Sequence, residues 1–259
     1  MNQTDTPIIE LRHIHKSFGH LVVLQGLDLK IERGKTTVIL GESGTGKSVL
    51  LKIIVRLLRP DQGRIIFEGR DITSLSERRL AEVRMKFGFL FQGGALFDSM
   101  TAEENVAFPL REHTASDEDK IKELTQEKLK LVGLEQFGSR MPGQLSGGQK
   151  KRIALARAIA LAPQVILYDE PTTGLDPIRA DVIDELILKL KEHLKVTSIV
   201  VTHDMKSAFK VADRILMLYH GNFIFDGTAE EIRQSKDQQV QRFITGQADA
   251  KELEALDIS

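Results

Sequence analysis

The chain has 259 residues, 41% of them hydrophobic, with 36 basic residues set against 37 acidic ones and a formal net charge of -1. That length can bury roughly three quarters of the unfolded chain's surface, so a large domain needs no covalent staples. The absence of cysteine excludes a disulfide framework, a zinc–thiolate site and a thiol nucleophile, and the balanced charge gives no electrostatic footprint for nucleic acid, which is not expected as a partner. The first residues contain no apolar core of signal-peptide type, and apolar runs such as 165–168 and 215–219 fall far below the ~18 residues a spanning helix needs. The chain is therefore expected to be soluble and made in the cytoplasm, with any membrane connection supplied by a partner.

In chain order, residues 8–18 read as extended. Leu27, Leu29 and Ile31 alternate with Asp28, Lys30 and Glu32, the period of a half-buried strand. Residues 36–40 form a short buried strand, followed by a glycine-rich loop and an apolar helix over 49–58 that Pro60 stops. Residues 64–67 are again extended and predict, with 8–18 and 27–31, a small antiparallel sheet. From about 91 to 162 the pattern is helical and more polar, an inserted helical subdomain in which Thr101 with Glu104 and Ser116 with Asp119 open helices. Residues 165–168 and 198–201 are short, unalternating apolar strands of a parallel sheet covered on both faces. Residues 215–219 and 223–225, joined through His220, Gly221 and Asn222, predict a hairpin, and Thr228 with Glu231 opens another helix. The last residues, 240–259, are a polar, acidic-leaning extension whose apolar anchors, Phe243 and Ile244, are expected to pack on a neighbouring subunit.

Three segments carry chemistry. Gly41, Glu42, Ser43, Gly44, Thr45, Gly46, Lys47 and Ser48 follow the spacing of a phosphate loop, between a strand and a helix. Glycines let the backbone curl its N–H groups around phosphate oxygens, the helix start favours negative charge, Lys47 neutralises the β- and γ-phosphates, and Ser48 offers a hydroxyl to Mg²⁺. At the second, an apolar strand ends in Asp169 and Glu170 at the edge where parallel sheets bind ligands. Asp169 would face the metal and Glu170 the attacking water. In the third, Ser146 caps a helix whose first residues are Gly147, Gly148 and Gln149, a second anion site that makes sense if it closes over a nucleotide held by another chain. Lys150, Lys151 and Arg152 beyond it read as a solvated face, and the histidines at 13, 15, 20, 113, 193 and 220 as surface or turn residues.

A phosphate loop, then Leu-Ser-Gly-Gly-Gln, then an apolar strand ending Asp-Glu-Pro resembles the ATP-binding-cassette ATPases, over about residues 8–232. The resemblance implies an α/β fold: a RecA-like P-loop NTPase core with an N-terminal antiparallel β subdomain and an inserted helical subdomain, the ATPase domain spanning 1–239. It implies ATP and Mg²⁺ as cofactors, with Ser48, Gln92 and Asp169 around the metal. Phe18 matches the aromatic that stacks on adenine, where many members have tyrosine. Gln92 matches the glutamine that senses Mg²⁺ and water, and His203 the switch histidine that contacts the γ-phosphate. Asp176 matches the loop that crosses to a second copy of the chain, and Ser146, Gly147, Gly148 and Gln149 act there in trans. With Lys47 and Glu170 also in place, no motif is missing and an active ATPase is expected. Residues 93–101 and 104–113 are similar to the cassettes of Mla-type phospholipid-transport systems that work with Mce-type proteins. That similarity implies a membrane permease, an Mce-type lipid-binding protein, a STAS-domain subunit, and a peripheral place on the cytoplasmic face of the inner membrane. Two rivals stay open: a motor for amino acid transport or lipoprotein release, and a non-transport cassette acting on ribosomes or DNA. The second kind usually carries two cassettes in one chain or a long coiled-coil insertion, and neither occurs here.

Overall fold

The computed structural model of the chain describes residues 6–247. The strands are β1 (Ile9–Phe18), β2 (Leu21–Ile31), β3 (Thr36–Leu40), β4 (Gln62–Phe67), β5 (Arg70–Asp71), β6 (Phe87–Leu90), β7 (Val165–Asp169), β8 (Thr197–Thr202), β9 (Arg214–Tyr219) and β10 (Asn222–Gly227). The N-terminal sheet is antiparallel in the order β2-β1-β4-β5. The second sheet runs β10-β9-β3-β8-β7-β6, parallel throughout except for its β10 edge. In β2 the expected alternation appears, with Leu27, Leu29 and Ile31 buried and Asp28 and Lys30 exposed. β3, β7 and β8 are buried at every position because both faces of their sheet are covered. Their side chains still sort by a period of two. Ile39, Leu167, Val201 and Leu216 pack toward the N-terminal sheet, with Leu11, Leu29 and Ile31. Val38, Ile166, Tyr168, Val200 and Met217 join the core on the opposite face.

The helices are α1 (Lys47–Ile54), α2 (Glu77–Arg84), α3 (Ala102–His113), α4 (Glu118–Leu131), α5 (Gly147–Ala158), α6 (Pro177–Leu194), α7 (Met205–Val211), α8 (Ala229–Arg233) and α9 (Gln238–Thr245). Three of them, α3, α4 and α5, fill the stretch between β6 and β7. The Thr101–Glu104 and Thr228–Glu231 capping boxes form as read. The hairpin turns through His220 (φ 43°) and Gly221 (φ 78°), both left-handed, as the twist of a tight hairpin demands.

Two local expectations are corrected. The helix expected over 49–58 runs Lys47–Ile54, because Arg56 adopts a left-handed φ of 55° well before Pro60. The start of α4 is capped by Asp117, not Ser116; its carboxylate accepts the Lys120 N–H at 2.8 Å. Phe243 and Ile244, expected on a neighbouring subunit, are half-buried against the chain's own core, on the same helix as the fully buried Val240. Residues 248–259 of the tail lie outside the described residues.

Candidate functional site

β3 delivers the chain into the loop at Gly41. A Cβ on Gly41 would lie 2.6 Å from the Leu218 carbonyl oxygen, a backbone approach that only glycine allows, and one on Gly46 would meet Val23 Cγ1 at 2.5 Å. Gly46 is also left-handed at φ 99° and caps α1 without any side-chain bond, leaving the first N–H groups of that helix free for an anion. Lys47, only 5% exposed, folds back so that Nζ donates to the carbonyls of Gly41 and Glu42, both at 2.8 Å. Its ammonium stands 3.5 Å from Glu170 Oε1. Burial pushes the Lys47 pKa below its ordinary value, against the pull of Glu170 and Asp169.

Two strands away, β7 ends in the carboxylates. Ser48 Oγ donates to Asp169 Oδ1 at 2.6 Å, and burial raises the Asp169 pKa against that bond. A hydroxyl and a carboxylate this close form a hard-oxygen pair beside the phosphate loop. Among the described residues no group of three or more His, Cys, Asp or Glu side chains converges. The two oxygens of this pair suit a magnesium ion, which takes one or two protein oxygens and completes its shell with water and substrate phosphates.

Glu170 follows, 6% exposed, with a left-handed φ of 49° and its N–H bonded to the Val201 carbonyl at 3.0 Å. A non-glycine residue in this region stores on the order of 1–3 kcal/mol. From this turn the carboxylate faces back toward the loop, 3.5 Å from Lys47 Nζ. Oε2 lies 2.8 Å from His203 Nδ1 and accepts from Thr173 Oγ1 at 3.1 Å and Thr202 Oγ1 at 3.5 Å. A carboxylate held between a lysine ammonium and an imidazole can take and return a proton at the mouth of an anion site.

One cleft of about 340 Å³ is lined by Phe18, Leu21, Val23, Lys47, Ser48, Gln92 and Glu170 among others, with Asp169 bonded to Ser48 and His203 to Glu170. Phe18 presents its ring there, 47% exposed. The structure thus brings together most of the predicted residues, from Phe18 through the loop to Gln92 and Glu170. It does not bring Ser146, Gly147, Gly148, Gln149 or Asp176 into that cleft. Those gather at a second place. Ser146 caps α5, accepting the Gln149 N–H at 3.4 Å while Gln149 Oε1 accepts the Ser146 N–H at 2.8 Å. Asp176 caps α6, accepting the Arg179 N–H at 3.0 Å.

One reading is overturned: Lys151 is not on a solvated face. It is 7% exposed, and its Nζ donates to the carbonyls of Glu170 (3.2 Å), Pro171 (2.7 Å) and Thr173 (2.7 Å). Burial pushes its pKa down to about 8. Helical spacing held the signal: Lys151 stands three residues after Gly148 and four before Leu155, on the buried face of α5. Its neighbour Arg152 is half-buried and donates to the Val132 carbonyl at 3.2 Å.

Sequence reasoning also missed Asp184 on α6, a carboxylate 2% exposed that accepts from Ser207 Oγ at 2.8 Å. Ser207 in turn touches Thr172 Oγ1 at 3.4 Å, just beyond Glu170. Burial raises the Asp184 pKa from 3.8 to about 6, only partly opposed by the Ser207 bond. The folded state therefore holds this proton more tightly than the unfolded state, and the stability it contributes is full below pH 4 and lost as pH rises through 6. Urea melts of wild type and Asp184→Asn should show it. The difference in unfolding free energy should move toward the variant by up to about 3 kcal/mol between pH 4 and pH 7.5. A difference that is flat across that range would place the ordinary aspartate pKa at 184.

Residues 24–173 match the family described as ABC transporter. The chain is 46% identical, over 96% of its length and 93% of the relative's, to the intermembrane phospholipid transport system ATP-binding protein MlaF of Haemophilus influenzae. It is 44% identical, over 92% of its length and 69% of the relative's, to the probable ribonucleotide transport ATP-binding protein mkl of Mycobacterium leprae. Among solved structures it is similar to the ATP-binding cassette MJ0796, seen as a dimer in a post-hydrolysis state bound to ADP and Pi, with a TM-score of 0.79, 35% identity and coverage of 85% of this chain and 98% of that one. It is also similar to cbiO1 of Clostridium perfringens, part of the transporter complex cbiONQ, with a TM-score of 0.82 at 28% identity over 97% and 99% of the two chains.

Proposed function

Because this chain belongs to the ABC transporter family and is an ATPase of that family, we propose that it is the motor subunit of a transporter that moves phospholipid between membranes. The observation that carries the cargo is the 46% identity, across nearly the whole of both chains, to a protein named for intermembrane phospholipid transport. Among the described residues no helix is long and apolar enough to cross a membrane, so the lipid path belongs to a permease partner.

In this reading Phe18 lies against the adenine, while the N–H groups of residues 41–46 and the Lys47 ammonium hold the phosphates. Ser48, Asp169 and Gln92 hold Mg²⁺, which when bound neutralises charge developing on the phosphate oxygens. Glu170 orients the attacking water and accepts its proton, and His203 reaches the γ-phosphate from its place beside Glu170. Ser146, Gly147, Gly148, Gln149 and Asp176 lie away from the cleft of their own chain, which supports their working on the nucleotide of a second copy. Two copies then face each other head to tail, drawn together as phosphates neutralise the positive ends of α1 and α5 and released once the γ-phosphate leaves.

The stretch after Gln92 supports a permease docking face. A groove of about 350 Å³ beside it has five phenylalanines in its lining, Phe87, Phe89, Phe91, Phe97 and Phe108, and Phe97 is exposed. An Mce-type lipid-binding protein and a STAS-domain subunit complete the assembly, with the chain peripheral on the cytoplasmic face of the inner membrane. The test is capture of the Glu170→Gln chain from solubilised membranes with ATP, followed by mass spectrometry of proteins and lipids. Recovery of a permease, an Mce-type protein and phospholipid is expected. A permease with another cargo, such as an amino acid or a ribonucleotide, would keep the motor and replace the lipid; ribosomes or DNA without a permease would overturn the transporter reading.

A further inference from the structure

Lys151 is the most unusual buried group outside the cleft. It stands five residues past the Ser146 cap, about 7.5 Å along the axis of α5. All three of its N–H donors can be used by carbonyls of one loop, at Glu170, Pro171 and Thr173, and among the described residues no carboxylate forms an ion pair with it. Packing alone gives no reason for a cation here, since an apolar side chain of the same length would avoid the cost of burying the charge. What the lysine does instead is fasten a loop. That loop begins at the strained Glu170, and Thr173 ties back to it through its N–H to the Glu170 carbonyl at 3.3 Å and its hydroxyl to Oε2 at 3.1 Å. Further along, Leu175 Cδ2 lies 3.6 Å from where a Cβ of Gly147 would stand, so the loop also rests on the bare first turn of α5.

We infer that Lys151 is a positioning residue that couples the two nucleotide sites of a dimer, holding Glu170 of its own cleft to the helix whose start closes on the nucleotide of the other copy. The inference rests on the trans role proposed above for residues 146–149. A nucleotide drawn onto the start of α5 moves that helix, and three carbonyl hydrogen bonds carry the movement to the loop that aims Glu170. Each chain's glutamate is then aligned when the opposite site is filled, so hydrolysis depends on the occupancy of both.

Steady-state ATP hydrolysis by the purified full-length chain, scanned over ATP concentration, tests this. Lys151→Met keeps the length and apolar bulk but cannot donate. Its kcat should fall about 10- to 100-fold, the cost of a misplaced catalytic group, with KM changed by less than about threefold. Its Hill coefficient should fall to 1 from a wild-type value between 1 and 2. Lys151→Gln, which still donates to part of the loop, should lie between, and it decides alone if the methionine variant does not fold. An unchanged kcat, or a lowered kcat with an unchanged Hill coefficient, would overturn the coupling and leave Lys151 as local support. A wild-type chain without turnover, or a Glu170→Gln chain at full rate, would instead overturn the assignment of the cleft, and the coupling with it.

Discussion

Replacing Glu170 by glutamine should leave ATP binding intact and slow turnover by about 10²–10⁴-fold, the usual worth of general-base catalysis. The substitution is nearly isosteric and spares the backbone, so the left-handed φ of 49° and the N–H bond to Val201 are undisturbed. The new amide oxygen can still accept from Thr173 Oγ1, the 3.1 Å partner of the present carboxylate. What is lost is the charge between Lys47 Nζ at 3.5 Å and His203 Nδ1 at 2.8 Å, and with it the acceptor for the water proton. The phosphate-holding groups stay in place, so the ATP-bound dimer should accumulate on a sizing column. Single-turnover hydrolysis alongside binding of a fluorescent ATP analogue separates the two effects. Hydrolysis near the wild-type rate would remove Glu170 from its role.

Lys47→Ala acts on the other term. A hydrogen bond to a charged group contributes about 1.5–3 kcal/mol, so losing the ammonium should weaken ATP binding by about 10- to 150-fold. The loop suffers as well, because Nζ bridges the Gly41 and Glu42 carbonyls and shapes the curve that aims the N–H groups. The fold should survive, since burial already disfavours this charge and its removal lifts that cost. Calorimetric titration with Mg-ATP measures the change, and thermal melts check the fold. An affinity within about threefold of wild type would mean that helix N-termini alone hold the phosphates. The two variants should therefore part cleanly, one losing rate at constant affinity and the other losing affinity.

Most of the site was legible in the sequence, because its signals are local. A phosphate loop needs glycine where the backbone turns left-handed or touches a neighbour, so Gly41 and Gly46 announce it before any fold is known. Capping boxes close within four residues, and Thr101–Glu104, Ser146–Gln149 and Thr228–Glu231 form as their spacing says. Unbroken apolar runs marked β3, β7 and β8 as strands with both faces covered. Local signals misled at two ends: Asp117, not Ser116, caps α4, and Arg56, not Pro60, ends α1.

By itself, then, the sequence determined the family, the phosphate loop, the paired carboxylates and the kinds of element that carry them, since each depends on residues adjacent in the chain. Only the tertiary structure decided which of these meet. It gathered Phe18, Lys47, Gln92 and Glu170 on one cleft and left the start of α5 outside it. It turned Lys151 inward onto carbonyls 19 to 22 residues away and buried Asp184 against Ser207, 23 residues on. Burial and hydrogen bonds of that range follow from how segments pack, and the desolvation that moves the pKa values of Lys151 and Asp184 exists only once they have packed.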